Sequence, residues 1–191
     1  LKVGFIFIGD VSDKGYTYAH YQGALEMQEK LGLKDDQIVY KTNVTEDAAC
    51  DTALQELVEA GCNIIFGNSY GYMNFMEEMA DEYPEVIFSH CSGFKSNDTN
   101  FNNYFGAIYQ ARYLAGIAAG LKTKTNKIGF VAAMQTPEVI GGFDAFALGV
   151  QSVNPDAVVY VKYTNSWYDA TLERQTADAL LDLGCDVIGQ H

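Results

Sequence analysis

Residues Lys2–Asp10 have the sequence KVGFIFIGD, an almost continuous apolar run that returns as KIGFVAAMQ at Lys127–Gln135. Two further segments return in the same order and at a nearly constant offset: IVYKTN at Ile38–Asn43 as VVYVKYTN at Val158–Asn165, and AGCNIIFGN at Ala60–Asn68 as LGCDVIGQH at Leu183–His191. A repeat of this length is too long for a solenoid unit and matches the size of a whole α/β lobe. The sequence therefore predicts two similar lobes with a ligand-binding cleft between them.

Strands alternate with helices of ten or more residues, which predicts parallel sheets built from βαβ units. Predicted strands are Lys2–Ile8, Ile38–Lys41, Cys62–Phe66, Glu85–Ser89, Tyr104–Phe105, Lys127–Ala132, Ala157–Tyr163 and Cys185–Gly189. The polar segment KTKTN joins the two copies, so we expect a first lobe over 1–121, a hinge over 122–126 and a second lobe over 127–191. Because the second copy stops at the equivalent of Asn68, it is expected to lack at least one unit and the protein to be truncated.

The composition excludes several classes of partner. Of the 191 residues, 48% are hydrophobic and 19% are charged, so the chain can bury a real core. Its net charge is -13 and its few basic residues are not clustered, which makes nucleic acid and anionic membranes poor partners. No apolar run is long enough to span a membrane, and the first residues form a strand rather than a leader, so any targeting segment is expected to have been removed already.

The cysteines and histidines show no metal-binding pattern. None of the four cysteines is in CxxC spacing, and two of them, Cys62 and Cys185, occupy the same repeat position before a strand, which is typical of buried apolar side chains. No GxGxxG or GxxxxGK[ST] motif is present, so a bound dinucleotide or nucleoside triphosphate is not expected. We predict no cofactor and no metal.

Ligands of open parallel sheets bind at the loops that follow the strands, where helix N-termini also point. These loops are rich in aromatic and uncharged polar side chains, which suit a flat heteroaromatic ligand or a sugar. We expect Tyr16 and Trp167, the only tryptophan, to stack on the ligand from the two lobes. The predicted ligand-binding residues are Asp10, Asp13, Tyr16, Asn68, Ser69, Tyr70, His90, Ser92, Trp167 and Asp169.

Several of these residues also have a structural interpretation. Asp13 and Asp169 fit helix N-caps as well as ligand contacts. Asn43 and Asn165 recur at one repeat position, which favours a shared turn over a shared function. Tyr16 and Trp167 could pack inward, although a polar loop is an unusual place for a core tryptophan.

One motif indicates a different class of protein. Gly67–Gly71 has the sequence GNSYG, which matches the GxSxG elbow of serine hydrolases with Ser69 as the nucleophile. The order of residues in such a triad disfavours a hydrolase, since His90 follows Ser69 by only 21 residues and His191 belongs to the other copy. The repeat also explains the glycine-rich turn without catalysis, because GQH occupies the equivalent position.

Four longer segments resemble one known family: GDVSDKGYTYAHYQG at Gly9–Gly23, NYFGAIYQARYLAGIAAG at Asn103–Gly120, TPEVIGGFDAFALGVQSVNPDA at Thr136–Ala157, and YTNSWYDATLERQTADALLDLGCDVIGQH at Tyr163–His191. They are similar to the BMP family of ABC-transporter substrate-binding lipoproteins, which includes purine nucleoside receptors of the PnrA type. The resemblance covers the whole chain. It implies a two-lobed type I periplasmic-binding fold, with a parallel Rossmann-like sheet flanked by helices in each lobe.

The resemblance also implies a function. Family members are lipid-anchored or periplasmic and deliver purine nucleosides or bases to a membrane permease and ATPase, so the chain would touch the membrane only through an anchor outside it. Asp13–Tyr16 matches an Asp-Lys-Ser-Phe segment whose aromatic ring stacks on the purine, and Trp167 matches the opposing ring. The chain departs at Gly15 and at His90–Ser92, where nucleoside receptors have an acidic residue, so a free base is as plausible as a nucleoside. A type I receptor for a sugar or an amino acid is the alternative.

Overall fold

The computed structural model describes residues 1–191 and divides into two compact units, Leu1–Phe105 (unit 1) and Gly106–His191 (unit 2). Unit 1 contains strands β1 (Val3–Ile6), β2 (Ile38–Lys41), β3 (Ile64–Gly67), β4 (Ile87–Cys91) and β5 (Phe101–Tyr104), and helices α1 (Tyr16–Leu31), α2 (Ala48–Glu59) and α3 (Met73–Glu82). Unit 2 contains helices α4 (Ile108–Lys122), α5 (Pro137–Val153) and α6 (Ala170–Asp182), and strands β6 (Lys127–Ala132), β7 (Val158–Tyr163) and β8 (Val187–Gln190). None of the helices combines the length and apolarity that a bilayer-crossing helix requires.

The sheet of unit 1 has the order β2-β1-β3-β4-β5, and every neighbouring pair is parallel. All four residues of β1 are buried, as expected for a central strand that has helices on both faces. One face packs on α1 through Phe5, Phe7 and Ala24. The other face packs on α2 and α3, and the apolar face of α2 supplies Cys50, Ala53, Leu54 and Leu57 to that core.

The sheet of unit 2 has the order β7-β6-β8 and is also parallel, which repeats the order β2-β1-β3 of unit 1. The strand registers are equivalent as well. Val3 pairs with Ile38 and Ile64, and Ile128 pairs with Val159 and Val187. The duplicated sequence therefore forms two separate α/β sheets of the same topology, and the predicted fold class is confirmed.

Helix α4 belongs to unit 2, whereas the sequence assigned it to the first lobe by ending that lobe at residue 121. The reason is a close contact between α4 and α5 at two glycines. A Cβ on Gly116 would lie 2.0 Å from the carbonyl oxygen of Phe146, and a Cβ on Gly149 would lie 2.1 Å from that of Tyr113. Only glycine permits this approach of two helix backbones, so α4 is packed tightly onto unit 2.

The predicted hinge, Lys122–Asn126, is bound to unit 2 by Asp186. The Asp186 carboxylate accepts hydrogen bonds from the Thr123 hydroxyl at 2.6 Å and from the N–H groups of Lys124 and Thr125 at 2.6 and 3.1 Å. The Thr123 hydroxyl, followed by the Lys124 N–H, lowers the pKa of Asp186 from 3.8 to about 2. The chain passes from one unit to the other at Phe105–Gly106 instead.

We expect this carboxylate to make the stability of the protein depend on pH in the acid range. Because its pKa is lower in the folded chain, its contribution is complete above about pH 4 and is lost as the pH falls toward 2. The difference in melting temperature between the wild type and Asp186→Asn should therefore shrink over that interval. A difference that stays constant down to pH 2 would contradict the hydrogen bonds to Asp186.

Most predicted elements are found within one or two residues of their expected ends, and β5 is the clearest exception. It covers Phe101–Tyr104, whereas the sequence predicted Tyr104–Phe105 after a polar loop. The polar side chains of this region stabilise the strand rather than a loop, since Ser89 donates to Asn102 at 2.8 Å across the β4–β5 pair. Asn97 Oδ1 also accepts the N–H groups of Asn100 and Phe101, each at 2.8 Å.

All four cysteines are buried and none forms a disulfide. Cys50, Cys62 and Cys185 pack in the apolar cores, as predicted. Burial raises the pKa of the thiols of Cys50, Cys62 and Cys185.

Candidate ligand-binding site

Unit 1 brings all eight of its candidate residues to the carboxyl edge of its sheet. They lie in the segments that follow β1 and β3, and at or just after the end of β4. Since β1, β3 and β4 are neighbours in the sheet, these segments are adjacent. The residues are Asp10, Asp13, Tyr16, Asn68, Ser69, Tyr70, His90 and Ser92.

The two aspartates of the β1–α1 loop bind backbone N–H groups. Asp10 Oδ1 accepts from Ser12 N–H at 2.8 Å. The Asp13 carboxylate covers the start of α1 and accepts the N–H groups of Gly15, Thr17 and Tyr18 at 2.9, 2.8 and 3.0 Å. Burial raises the pKa of Asp13, but these N–H groups outweigh it and the net shift is downward. The capping interpretation of Asp13 therefore accounts for the orientation of its carboxylate.

Tyr16, at the first position of α1, keeps 44% of its surface exposed. Its hydroxyl lies 3.4 Å from Cys91 Sγ at the end of β4. The His20 ring packs edge-on against the Tyr16 ring, with 4.6 Å between centroids and 62° between planes. Burial lowers the pKa of His20. The Tyr16 ring is thus held in place while part of it remains open.

Glu46 connects the loop after β2 to the loop after β3. Its Oε1 accepts the Ser69 hydroxyl at 2.6 Å and the Gly71 N–H at 2.7 Å. The Tyr72 hydroxyl joins the same two loops by donating to the carbonyl oxygen of Val44. Tyr70, which is half-buried, lies in the loop that these bonds hold.

His90 is fully buried beneath the same loop. Its Nε2 lies 2.6 Å from the carbonyl oxygen of Ser69, and its Nδ1 has no hydrogen-bond partner. Burial lowers the pKa of His90. The Ser69 hydroxyl donates to Glu46 rather than to a histidine, so the GxSxG sequence does not form the nucleophile and base of a hydrolase triad.

Asn68 and Ser92 are also buried. Asn68 Oδ1 accepts the N–H of Ile8 at 2.9 Å and joins the segment after β3 to the segment after β1. Its Nδ2 and the Ser92 hydroxyl have no hydrogen-bond partner. Ser92 has a left-handed backbone (φ 62°), which forms the turn after β4. The buried polar side chains of this edge hold the loops on which Tyr16 and Tyr70 are presented.

Unit 2 places its two candidate residues after β7. Asp169 caps α6 by accepting the N–H groups of Thr171 and Leu172, each at 2.9 Å. Trp167 is half-buried against the core of unit 2, and its ring centroid lies 6.1 Å from that of His191. At the equivalent position of the two units, Asn43 and Asn165 have φ values of 55° and 56°, so they form the shared turn that their recurrence predicts.

Arg112 of α4 is a charged group at the same edge of unit 2 that the sequence did not single out. It donates from Nη1 to the carbonyl oxygen of Gln190, and its guanidinium carbon lies 6.0 Å from the centre of the Phe130 ring. Burial lowers the pKa of Arg112. Burial, followed by the charge of Arg112, lowers the pKa of His191 to about 4. No group of three or more His, Cys, Asp or Glu side chains could hold a metal ion.

Two parallel α/β sheets of like topology are the fold of periplasmic-binding-protein type domains. The structure of an ABC transporter solute-binding protein from Aeropyrum pernix K1 superposes with a TM-score of 0.86 at 23% identity, and covers 100% of this chain and 54% of that one. The model of the Bmp family, described as ABC transporter substrate-binding protein PnrA-like, matches residues 1–191. The chain belongs to this family.

Two curated relatives have different ligands in their names. A purine-binding protein of Brucella abortus (strain 2308) is 40% identical over 191 residues, which are 100% of this chain and 54% of that protein. TsgA13 of Haloferax volcanii, named as an ABC transporter glucose-binding protein, is 35% identical over 100% of this chain and 48% of its own length. The chain thus spans about half the length of these relatives.

Proposed function

We propose that the protein is an extracytoplasmic receptor of an ABC importer that binds a purine nucleoside or nucleobase by aromatic stacking. The observation that carries this proposal is the 40% identity with a purine-binding protein over the whole chain. The half-open rings of Tyr16 and Trp167 support it, because stacking on flat rings is the main way that proteins bind a base without charged contacts. The partners of this receptor are the permease and ATPase of the importer, and a lipid anchor outside this chain would hold it at the membrane.

The receptor is not an enzyme in this proposal. Its Ser69 is bound to Glu46, and His90 Nε2 is hydrogen-bonded to the backbone carbonyl oxygen of Ser69. Ligand binding would instead stabilise the conformation that contacts the ligand.

Among the candidate residues, Tyr16, Tyr70 and Trp167 are the proposed direct contacts because parts of their side chains are accessible. Asn68, Ser69 and His90 are buried and hold the loops through their hydrogen bonds, and Ser92 is buried in the turn after β4. Asp10, Asp13 and Asp169 fix the starts of helices through N–H groups. The segment where nucleoside receptors have an acidic residue, His90–Ser92, is buried here. This difference keeps a free base as plausible a ligand as a nucleoside.

The decisive experiment is calorimetric titration of the full-length protein with adenine, adenosine, guanosine and inosine. Glucose is titrated separately as the alternative ligand. We expect saturable binding of at least one purine and none of glucose. The glucose-binding name of the Haloferax relative makes a sugar receptor the second candidate. Heat from glucose and from none of the four purines would replace the first proposal with the second.

A further inference from the structure

The thiol of Cys91 lies at the centre of a small polar cluster beneath Tyr16. The Tyr16 hydroxyl is 3.4 Å from Cys91 Sγ, and Cys91 is only 4% exposed. Burial, with further contributions from Cys91, raises the pKa of the neighbouring Tyr104. Cys91 and Tyr104 are paired residues of β4 and β5, so the thiol is fixed by the sheet.

Two contacts constrain the Tyr16 ring from different directions. The hydroxyl, at the far end of the side chain, meets the thiol of β4, while the ring packs against the His20 ring one turn further along α1. His20 Nδ1 lies 2.9 Å from the carbonyl oxygen of Tyr16, and its ring also packs near Phe7 of the β1 segment. The Tyr16 side chain is therefore held both at its hydroxyl and by the His20 ring.

We propose that Cys91 is a positioning residue for ligand binding, which holds the Tyr16 ring over the carboxyl edge of the sheet as a preformed stacking surface. This inference rests on the proposed function, because it assumes that a planar ligand stacks on Tyr16. A side chain that is already ordered loses less conformational entropy when the ligand binds, so the thiol raises affinity without touching the ligand. The Tyr16 hydroxyl needs a polar partner at position 91, so an apolar side chain of similar size should not restore the affinity.

The test is a double-mutant cycle in the full-length protein, with the tightest of the purines as the ligand. We expect Tyr16→Phe and Cys91→Ala each to weaken binding about three- to tenfold, as for the loss of one hydrogen bond. The double variant should bind no more weakly than either single variant, because both changes remove the same contact. Cys91→Ser should keep wild-type affinity, since a hydroxyl can replace the thiol as a partner of Tyr16, whereas Cys91→Val should behave like Cys91→Ala.

Two matched controls separate positioning from folding. Cys62→Ala removes another buried thiol, on the far side of the sheet before β3, and Tyr83→Phe removes a hydroxyl at the end of α3. Both should leave affinity unchanged even where Cys62→Ala lowers the melting temperature. The proposal would be overturned if the affinity losses of the two single variants multiplied in the double variant. It would also be overturned if Cys91→Ser and Cys91→Ala lost the same affinity.

A second measurement needs no ligand and so distinguishes failure of this proposal from failure of the proposed function. The χ1 rotamer populations of Tyr16 can be measured by NMR from three-bond side-chain couplings. One rotamer should dominate in the wild type and in Cys91→Ser, and several should be averaged in Cys91→Ala. If no purine binds, the proposed function is contradicted while this result still decides whether Cys91 holds the ring, and equal rotamer populations in all three proteins would refute it.

Discussion

Replacing Trp167 by alanine is expected to cost about 1–3 kcal/mol of purine-binding free energy, which is about a five- to 150-fold loss of affinity. The reason is the loss of one stacking surface at the carboxyl edge of unit 2, where the ring is packed against the core on one side. That packing holds the ring before the ligand arrives, so little ordering is needed on binding. Calorimetric titration with the purine that binds most tightly measures the effect, and Trp167→Phe should recover most of it.

The neighbouring Tyr168 is the matched control for this prediction. It lies in the same loop, but 79% of its surface is exposed. Tyr168→Ala removes an aromatic ring of similar size and should change affinity by less than about twofold, as for an unpacked side chain. If Tyr168→Ala has the larger effect, the stacking ring of unit 2 has been assigned to the wrong residue.

Gly149→Ala is expected to lower the free energy of unfolding by about 3 kcal/mol. Its new Cβ would lie 2.1 Å from the carbonyl oxygen of Tyr113 and 3.0 Å from the N atom of Ile117. Both atoms belong to the backbone of α4, so the clash cannot be relieved by rotating a side chain. Helices α4 and α5 would have to move apart, and urea unfolding measures the cost.

Gly141→Ala provides the control in the same helix. No atom lies within 4 Å of the position of its Cβ, so the substitution only replaces a poor helix former by a good one. It should raise the free energy of unfolding by about 0.5–1 kcal/mol. Opposite signs for the two glycines are the signature of the helix contact, and equal shifts would show that α4 and α5 do not touch at Gly149.

The duplicated fold could be predicted from the sequence because parallel strands leave a strong local pattern. Buried runs such as Lys127–Ala132 are continuous and apolar, and that strand has the predicted bounds. The repeated Asn43 and Asn165 were correctly interpreted as turn residues. The compact units divide at Phe105–Gly106, whereas the sequence placed the boundary at 122–126. The sequence could not predict this division, because α4 contains small residues on several faces and nothing in its sequence specifies the sheet on which it packs. The glycines of AGIAAG, Ala115–Gly120, were the available signal for a close helix contact.

The candidate site could be predicted only as a set of loops. The rule that ligands meet the carboxyl edge of a parallel sheet placed Tyr16, Ser69 and Trp167 correctly at that edge. The partners within it could not be predicted, because they join residues that are far apart in sequence. Glu46 and Ser69 are hydrogen-bonded although they are 23 positions apart in the sequence, and Tyr16 and Cys91 are in contact although they are 75 positions apart. The burial of His90 could not be predicted either, because a polar side chain at the end of a strand can contact the ligand or support the loops.

The buried thiols affect how the protein tolerates the oxidising conditions outside the cytoplasm, where its family works. Disulfide exchange requires a thiolate that a partner can reach, and each of these sulfurs is shielded from solvent. Burial also raises the pKa of three of the thiols, which makes their thiolate forms rarer still. The folded chain should therefore resist oxidation without any crosslink, and its sensitivity to oxidants is confined to the interval before folding is complete.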